Sequence, residues 1–299
     1  LDPYPSYVNR VYGLRDSDGE SYVAKFYRPG RWSYEAICEE QAMVATLAEA
    51  EIPVVAAIPD ADGDRVLELE IDASHEEAPL SVCFSLYPKK GGRNFEPEDD
   101  ESWFRLGSIV GRMHAQWASA DLEERLQYGP EYIREDALET LLSLPGLDDE
   151  LRSELATRSE TVLQRMDSAF QDVGTQPVHG DCHPGNILDR PGEGLLLIDF
   201  DDIMQAPVVQ DLWLLLPDHV ENCGRQLANV IEGYEQFHTF DRGELELVEP
   251  LRYMRMLYFL AWQARQRHDN WFQRSYPQWG SRSFWIRELE SLRDQAAYV

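Results

Sequence analysis

The segment Pro88-Lys89-Lys90-Gly91-Gly92 constrains this 299-residue chain more than any other, because the residue pattern changes across it. Before it, 10–15 and 21–27 are rich in aromatic and β-branched residues. Asp16-Ser17-Asp18-Gly19 between them is a turn signal, so the pair reads as an antiparallel hairpin. Ser33 is placed to cap a helix running to about Ala50, with Glu35 in its first turn and Pro53 just beyond its end. Two further strands read over 65–71 and 80–87, joined by the polar loop 72–79. After the break the chain is mostly helical. Trp103, Leu106, Ile109, Val110, Met113 and Trp117 recur at helical spacing over 99–118, and helices follow near 149–171, 225–240, 245–267 and 283–296. Between 178 and 203 short apolar runs bounded by Gly and Pro return. The expectation is an α+β chain of two lobes. Residues 1–88 form a small antiparallel-sheet lobe with one main helix, and 89–299 a larger, mostly helical lobe with a strand-loop insert. Clefts between such domains are where ligands commonly bind.

Charge narrows the partners. The formal net charge is −28, a field that repels nucleic acid and anionic membrane surfaces at long range. Any anionic ligand therefore needs local cations. No apolar run approaches the ~20 residues of a membrane span, and no basic-then-apolar leader opens the chain. The four cysteines are scattered without a CxxC pair, which suits reduced thiols. We expect a cytoplasmic monomer that binds neither nucleic acid nor membrane. The chain opens at Leu1 without methionine, so a trimmed N-terminus is also expected. Lysine is scarce: Lys25, Lys89 and Lys90 stand against 24 arginines. Lys25, inside the apolar run Tyr22-Val23-Ala24-Lys25-Phe26-Tyr27, invites a chemical explanation, since a compact ammonium suits phosphate oxygens.

The densest cluster of unusual residues is Val178-His179-Gly180-Asp181-Cys182-His183-Pro184-Gly185-Asn186-Ile187-Leu188, followed by Leu196-Leu197-Ile198-Asp199-Phe200-Asp201-Asp202. Polar residues sit in loops flanked by strand-like runs, the setting in which a rigid scaffold presents functional groups. Phosphoryl transfer needs a carboxylate that takes the acceptor hydroxyl's proton, oxygen ligands for magnesium, and a cation on the phosphates. Asp181, Asn186, Asp199 and Lys25 meet that list, and Asp-x4-Asn is the spacing of the kinase catalytic loop. His179 and His183 read as hydrogen-bonding braces, because magnesium prefers oxygen. A zinc reading of His179, Asp181, Cys182 and His183 lacks the usual paired spacing. Asp201 and Asp202 stay open between the metal and a solvated or helix-capping role. For the lysine's carboxylate partner, Glu40 lies on the apolar stripe of its helix with Ile37, Val44 and Leu47, while Glu39 turns towards water. The choice is Glu40, since an unpaired carboxylate on that face is costly.

His179-Gly180-Asp181-x-His183-x-x-Asn186 with Ile198-Asp199-Phe200 resembles the catalytic and metal-binding motifs of the aminoglycoside phosphotransferase and choline kinase superfamily, which shares the protein-kinase-like fold. Asn9-Arg10-Val11-Tyr12, Lys25–Pro29, Arg31-Trp32, Gly91-Gly92-Arg93, Gly111-Arg112-Met113-His114 and Val209–Trp213 extend the likeness over nearly the whole chain. Together they are similar to the bacterial stress response kinase A family. The resemblance implies ATP-dependent, Mg2+-dependent phosphorylation of serine or threonine on protein substrates, the chain itself included. It makes Asp181 the catalytic base, Asn186 and Asp199 the metal ligands, and Lys25 the phosphate contact. Ser6 falls in the phosphate-covering loop, although no Gly-x-Gly-x-x-Gly stands there. Ser85 and Tyr87 fall in the hinge that offers backbone groups to adenine, and Asp211 is the buried brace of the catalytic loop. The motif touches only the transferred group. A small-molecule kinase acting on an aminoglycoside, choline, homoserine or a sugar is therefore the alternative. A nucleotide-binding regulator without turnover is disfavoured because every catalytic position is filled. The aromatic and basic stretch 262–285 reads as an acceptor wall or as a packed, salt-bridged helix pair.

Overall fold

A computed structural model describes residues 2–4, 8–71, 80–171 and 173–299. In chain order it opens with β1 (Asp2–Tyr4), β2 (Arg10–Arg15), β3 (Ser21–Phe26), α1 (Tyr34–Glu49), β4 (Leu67–Ile71), β5 (Leu80–Pro88), β6 (Arg93–Asn94) and α2 (Asp100–Trp117). Next come α3 (Pro130–Tyr132), a π-helical stretch over Ile133–Leu138, α4 (Glu139–Leu142), α5 (Asp149–Phe170), β7 (Gln176–Val178), β8 (Ile187–Arg190), β9 (Gly194–Leu197) and β10 (Met204–Ala206). The chain closes with α6 (Val209–Trp213), α7 (Gly224–Tyr234), α8 (Val248–Gln266), α9 (Asn270–Ser275) and α10 (Arg282–Ala296). This is an α+β chain with an antiparallel sheet in its N-terminal part and helices over most of the rest.

Two compact units are present, and neither is contiguous in sequence. The first gathers Leu1–Leu126, Gln176–Gln205 and Ala228–Thr239. Its five-stranded sheet has the order β1-β2-β3-β5-β4. The pairings are antiparallel, with Lys25 opposite Val11 on one side and opposite Ser85 on the other. Such a hairpin-built sheet follows from the Asp16–Gly19 turn, where Asp16 Oδ1 accepts from the Asp18 and Glu20 amides. Ser33 caps α1 by accepting from the Ala36 amide at 3.0 Å. The stripe of Ile37, Glu40, Val44 and Leu47 is buried. Asp99 caps α2 through the Ser102 amide at 2.8 Å, and Leu106, Val110, Met113 and Trp117 of α2 are buried. Helices α2 and α7 meet backbone to backbone. A Cβ added at Gly107 would lie 1.8 Å from the Val230 carbonyl oxygen, and one at Gly233 would lie 2.0 Å from that of Phe104. A second, three-stranded sheet, β6-β8-β9, adjoins the loop that carries Asp181.

The second unit gathers Gln127–Thr175, Ala206–Leu227 and Phe240–Val299. Its long helices are α5, capped by Asp148 through the Leu151 amide at 3.0 Å, and α8, which buries Leu251, Tyr253, Met254 and Leu257. Ser159 and Tyr253 hydroxyls meet at 3.1 Å in this core. The stretch 262–285 is packed in part: Phe272, Phe284 and Trp285 are buried, while Trp271 and Tyr276 are exposed. Trp279 lies 5.8 Å from both Phe272 and Trp285, Arg265 pairs with Asp136 and Arg282 with Asp148. Several of these residues also line a cavity of about 330 Å³. Among the described residues no helix is long and apolar enough to cross a membrane.

Candidate active site

The first unit holds the loop His179–Asn186 and the segment Asp199–Asp202, and their geometry follows from local backbone requirements. Gly180 has φ +79°, and a Cβ there would sit 2.0 Å from the Asp202 carbonyl oxygen. Glycine is therefore needed twice at this position, for the left-handed backbone and for the close approach of two loops. His179 is fully buried. Its Nδ1 accepts from the Asp181 amide at 3.3 Å, and its Nε2 lies 2.9 Å from the Ile198 carbonyl oxygen. One ring nitrogen thus accepts and the other donates, as neutral imidazole requires. The ring also lies 4.5 Å from that of Phe200, so His179 is the brace the sequence suggested.

Asp181 and Asn186 sit at the two ends of a short loop that contains the 3-10 turn Pro184–Asn186. Asn186 Nδ2 donates to the Asp181 carbonyl oxygen at 2.9 Å and to Asp181 Oδ2 at 3.2 Å. The strand β8 then begins, with Ile187 opposite Leu197 of β9. The Ile198 amide donates to the Asn186 carbonyl oxygen at 3.0 Å, which brings Asn186 and Asp199 to neighbouring strand ends. Asp199 has φ +64°, a conformation that costs a non-glycine residue on the order of 1 kcal/mol or more and clusters at functional sites. Its side chain is 53% exposed, although protein groups crowd the carboxylate. Burial, with repulsion from Asp201 and Asp202, raises its pKa against the pull of Lys25.

Lys25 on β3 reaches this loop. Its ammonium lies 3.4 Å from Asp199 Oδ1 and donates a shorter bond to Asp201 Oδ1. Burial opposes its charge, but Asp201 and Asp199 outweigh burial and hold its pKa well above the ordinary value. Asp201 is itself buried. Burial would raise its pKa, but Lys25 and Arg31 together bring it below the usual carboxylate value. Its second oxygen accepts from Asn9 Nδ2, and Arg31 Nη1 is 3.7 Å away. Arg31 also donates to Asp202 Oδ1 at 2.6 Å.

The expected Lys25–Glu40 ion pair is not formed. Glu40 is buried as the helical stripe required, but its carboxylate faces Arg125 Nη1 at 3.5 Å and accepts from Gln41 Nε2 at 2.9 Å. The physical reason is Arg125, whose fully buried guanidinium needs an anion. Arg125 also donates to the carbonyl oxygens of Asp201 and Ile203 and lies 3.8 Å over the Trp32 ring. With Glu40 so engaged, Asp201 takes the lysine. Burial, reinforced by Asp201, pushes Glu40 up to about 7. Glu39 is not left to water, since it accepts the Glu123 and Glu124 amides at 2.7 and 3.0 Å.

Of the remaining expected ligand groups, Ser6 lies outside the described residues. The hydroxyls of Ser85 and Tyr87 are engaged internally, Ser85 Oγ with the Arg65 carbonyl oxygen at 2.8 Å and Tyr87 with Tyr27 at 3.1 Å. Between them the Leu86 carbonyl accepts from the Ile58 amide at 2.7 Å. Asp211 is fully buried in α6, which belongs to the second unit. Among the described residues no three His, Cys, Asp or Glu side chains converge as a metal cage. Asn186, with its amide nitrogen donating to Asp181, keeps Oδ1 as an oxygen donor, and Asp199 adds a carboxylate at the neighbouring strand end. That donor set fits a hard ion that keeps its waters and shares substrate oxygens. Sequence reasoning underrated Asp201, whose signal was only a run of acidic residues, and gave no sign of Arg125.

Residues 3–248 match the family model described as the phosphotransferase enzyme family. The chain is 34% identical over 300 residues to stress response kinase A of Escherichia coli K12, covering 99% of this chain and 87% of that protein. It is 33% identical over 299 residues to the serine/threonine protein kinase RdoA of Salmonella typhimurium, covering 99% and 86%. Among solved structures it resembles the amicoumacin kinase hAmiN in complex with AMP-PNP, Ca2+ and Ami, with a TM-score of 0.76, 18% identity and 98% and 88% coverage. With the family model matched over most of the chain and relatives of that length and identity, the chain is an enzyme that acts as a kinase, and it belongs to the phosphotransferase enzyme family and, within it, to the stress response kinase A family.

Proposed function

We propose that the chain is an ATP- and magnesium-dependent serine/threonine protein kinase. The observation that carries this reading is the convergence of Asp181, Asn186, Asp199 and Lys25 on adjacent strand ends and loops. Asp181 takes the proton of the acceptor hydroxyl, and its carboxylate is oriented by the Asn186 amide at 3.2 Å. Lys25 contributes a cation for the nucleotide's phosphates. Asn186 Oδ1 and Asp199 would hold magnesium, which when bound neutralises charge on the transferring phosphoryl group. The relative named as a serine/threonine protein kinase supports a protein acceptor, and the AMP-PNP complex of the structural neighbour supports an adenine nucleotide.

The test is incubation with magnesium and γ-labelled ATP, with and without a generic protein substrate, beside Asp181→Asn. Label on serine or threonine is expected from the native chain. The variant should lose at least about 10³-fold in turnover, within the range that a positioned proton acceptor contributes, while keeping nucleotide affinity. Near-native turnover in Asp181→Asn overturns the assignment of the base. ATP consumed only with a small hydroxyl compound moves the acceptor to the small-molecule class.

A further inference from the structure

Three cations and four carboxylates interlock in the first unit: Lys25, Arg31 and Arg125 with Glu40, Asp199, Asp201 and Asp202. The partition among them is not symmetrical. Glu40 belongs to Arg125, Tyr27 and Gln41. Asp201 gathers Lys25 and Asn9 on its two carboxylate oxygens, with Arg31 at 3.7 Å. Its own carbonyl oxygen is fixed by Arg125. Asn9 is in turn anchored, because its Oδ1 accepts from the Arg28 amide at 3.1 Å. Asp201 is thus a buried carboxylate whose orientation is fixed from three sides before it meets the lysine.

We propose that Asp201, held by Asn9 and Arg31, is the positioning residue that aims Lys25 at the nucleotide, and that Glu40 serves Arg125 instead. The inference rests on the reading that the site binds an adenine nucleotide. Its physical content is a competition between two carboxylates. Lys25 lies between Asp201 and Asp199, the latter 3.4 Å away. Held on Asp201, the ammonium leaves Asp199 available as an oxygen ligand. Released from Asp201, its nearest anion is Asp199, and pairing there neutralises the carboxylate that the metal needs. Asp201 therefore acts through Lys25 and need not touch the ligand itself.

A double-mutant cycle decides the matter. Affinity for AMP-PNP with magnesium is measured by calorimetry for the wild-type chain, Asp201→Asn, Glu40→Gln, Lys25→Met and the two doubles containing Lys25→Met. Asp201→Asn is expected to weaken binding about tenfold in the wild-type background, the equivalent of one unfavourable pK unit of coupling, and by less than about twofold in the Lys25→Met background. Glu40→Gln is expected to act alike in both backgrounds. A metal ligand or a merely structural residue at 201 would cost the same with or without Lys25, and that additivity overturns the proposal. So does a cycle in which Glu40, and not Asp201, couples to Lys25. If Asp201→Asn does not fold, Asn9→Ala removes one of the holding contacts and should show the same Lys25-dependent loss on a smaller scale. Additivity there is equally fatal. A wild-type chain that binds no nucleotide overturns the kinase reading and this inference with it, whereas native binding with additive effects overturns the inference alone.

Discussion

Glu244 is a carboxyl that the fold would rather keep neutral. It is buried, and its one hydrogen bond among the described residues is accepted from the Val209 amide at 3.0 Å. Burial pushes it from 4.5 up to about 7, against the help of that amide. Because the folded value lies above the unfolded one, this residue's contribution to stability is fully present below about pH 4.5 and is lost as pH rises through about 7. The shift corresponds to a loss on the order of 3 kcal/mol. Glu244→Gln keeps an acceptor for the Val209 amide and removes the charge. Urea unfolding at pH 5 and pH 8 should show the variant gaining on the native chain at the higher pH, and an unchanged difference between the two pH values would refute the assignment. Asp199 shows a different residue-scale tension. Its left-handed backbone is held at an intrinsic conformational cost, with its carboxylate 3.4 Å from the Lys25 ammonium. Single-residue features of this kind are invisible in a sequence, which shows an Asp in an acidic run and nothing of its φ.

At the scale of elements, the crossing of α2 and α7 reverses a simple expectation from helix propensity. Replacing a mid-helix glycine by alanine ordinarily stabilises a helix by ~1 kcal/mol. At Gly107 the new Cβ would overlap the Val230 carbonyl oxygen at 1.8 Å, and backbone cannot rotate away as a side chain would. Gly107→Ala should therefore destabilise the fold by about 3 kcal/mol, read from the urea midpoint, and a gain in stability would show that the helices are free to separate. Elements with strong local signals were legible in the sequence: the hairpin of β2 and β3, α1 from its Ser33 cap, α2 from the helical spacing of Trp103 to Trp117, and the helical ranges of α5, α8 and α10. The grouping of Asp181, Asn186 and Asp199 was legible too, since the loop is continuous in sequence and Asp199 comes one short hairpin later. What escaped was set by distant contacts. The three-residue β1 exists through its pairing with β2. The helical run 130–142 contains a π-helical stretch whose side chains fall off the 3.6 period. The choice of Asp201 over Glu40 was fixed by Arg125, 85 positions beyond Glu40 in the chain.

For the whole molecule, the dominant quantity is the net charge of −28. Its long-range field repels a nucleotide and attracts a cationic acceptor, and both effects fall away as the Debye length shrinks below ~10 Å. Raising salt from low ionic strength should therefore speed nucleotide association while raising KM for a lysine- and arginine-rich acceptor peptide. Stopped-flow and steady-state kinetics across a salt series would check both, and KM values for basic and acidic peptides that respond alike would show that the field does not reach the acceptor. The scarcity of lysine has a separate consequence. Lys25 is enclosed in the middle strand of a sheet, while Lys89 and Lys90 are exposed just past the end of β5. A lysine-specific endoprotease acting on the native chain meets a single accessible address, next to Gly91 and Gly92. Limited digestion should nick the backbone there first, at the change from sheet to helix. Whether the two fragments then stay together measures how far the sheet-rich segment relies on the helical remainder of the chain.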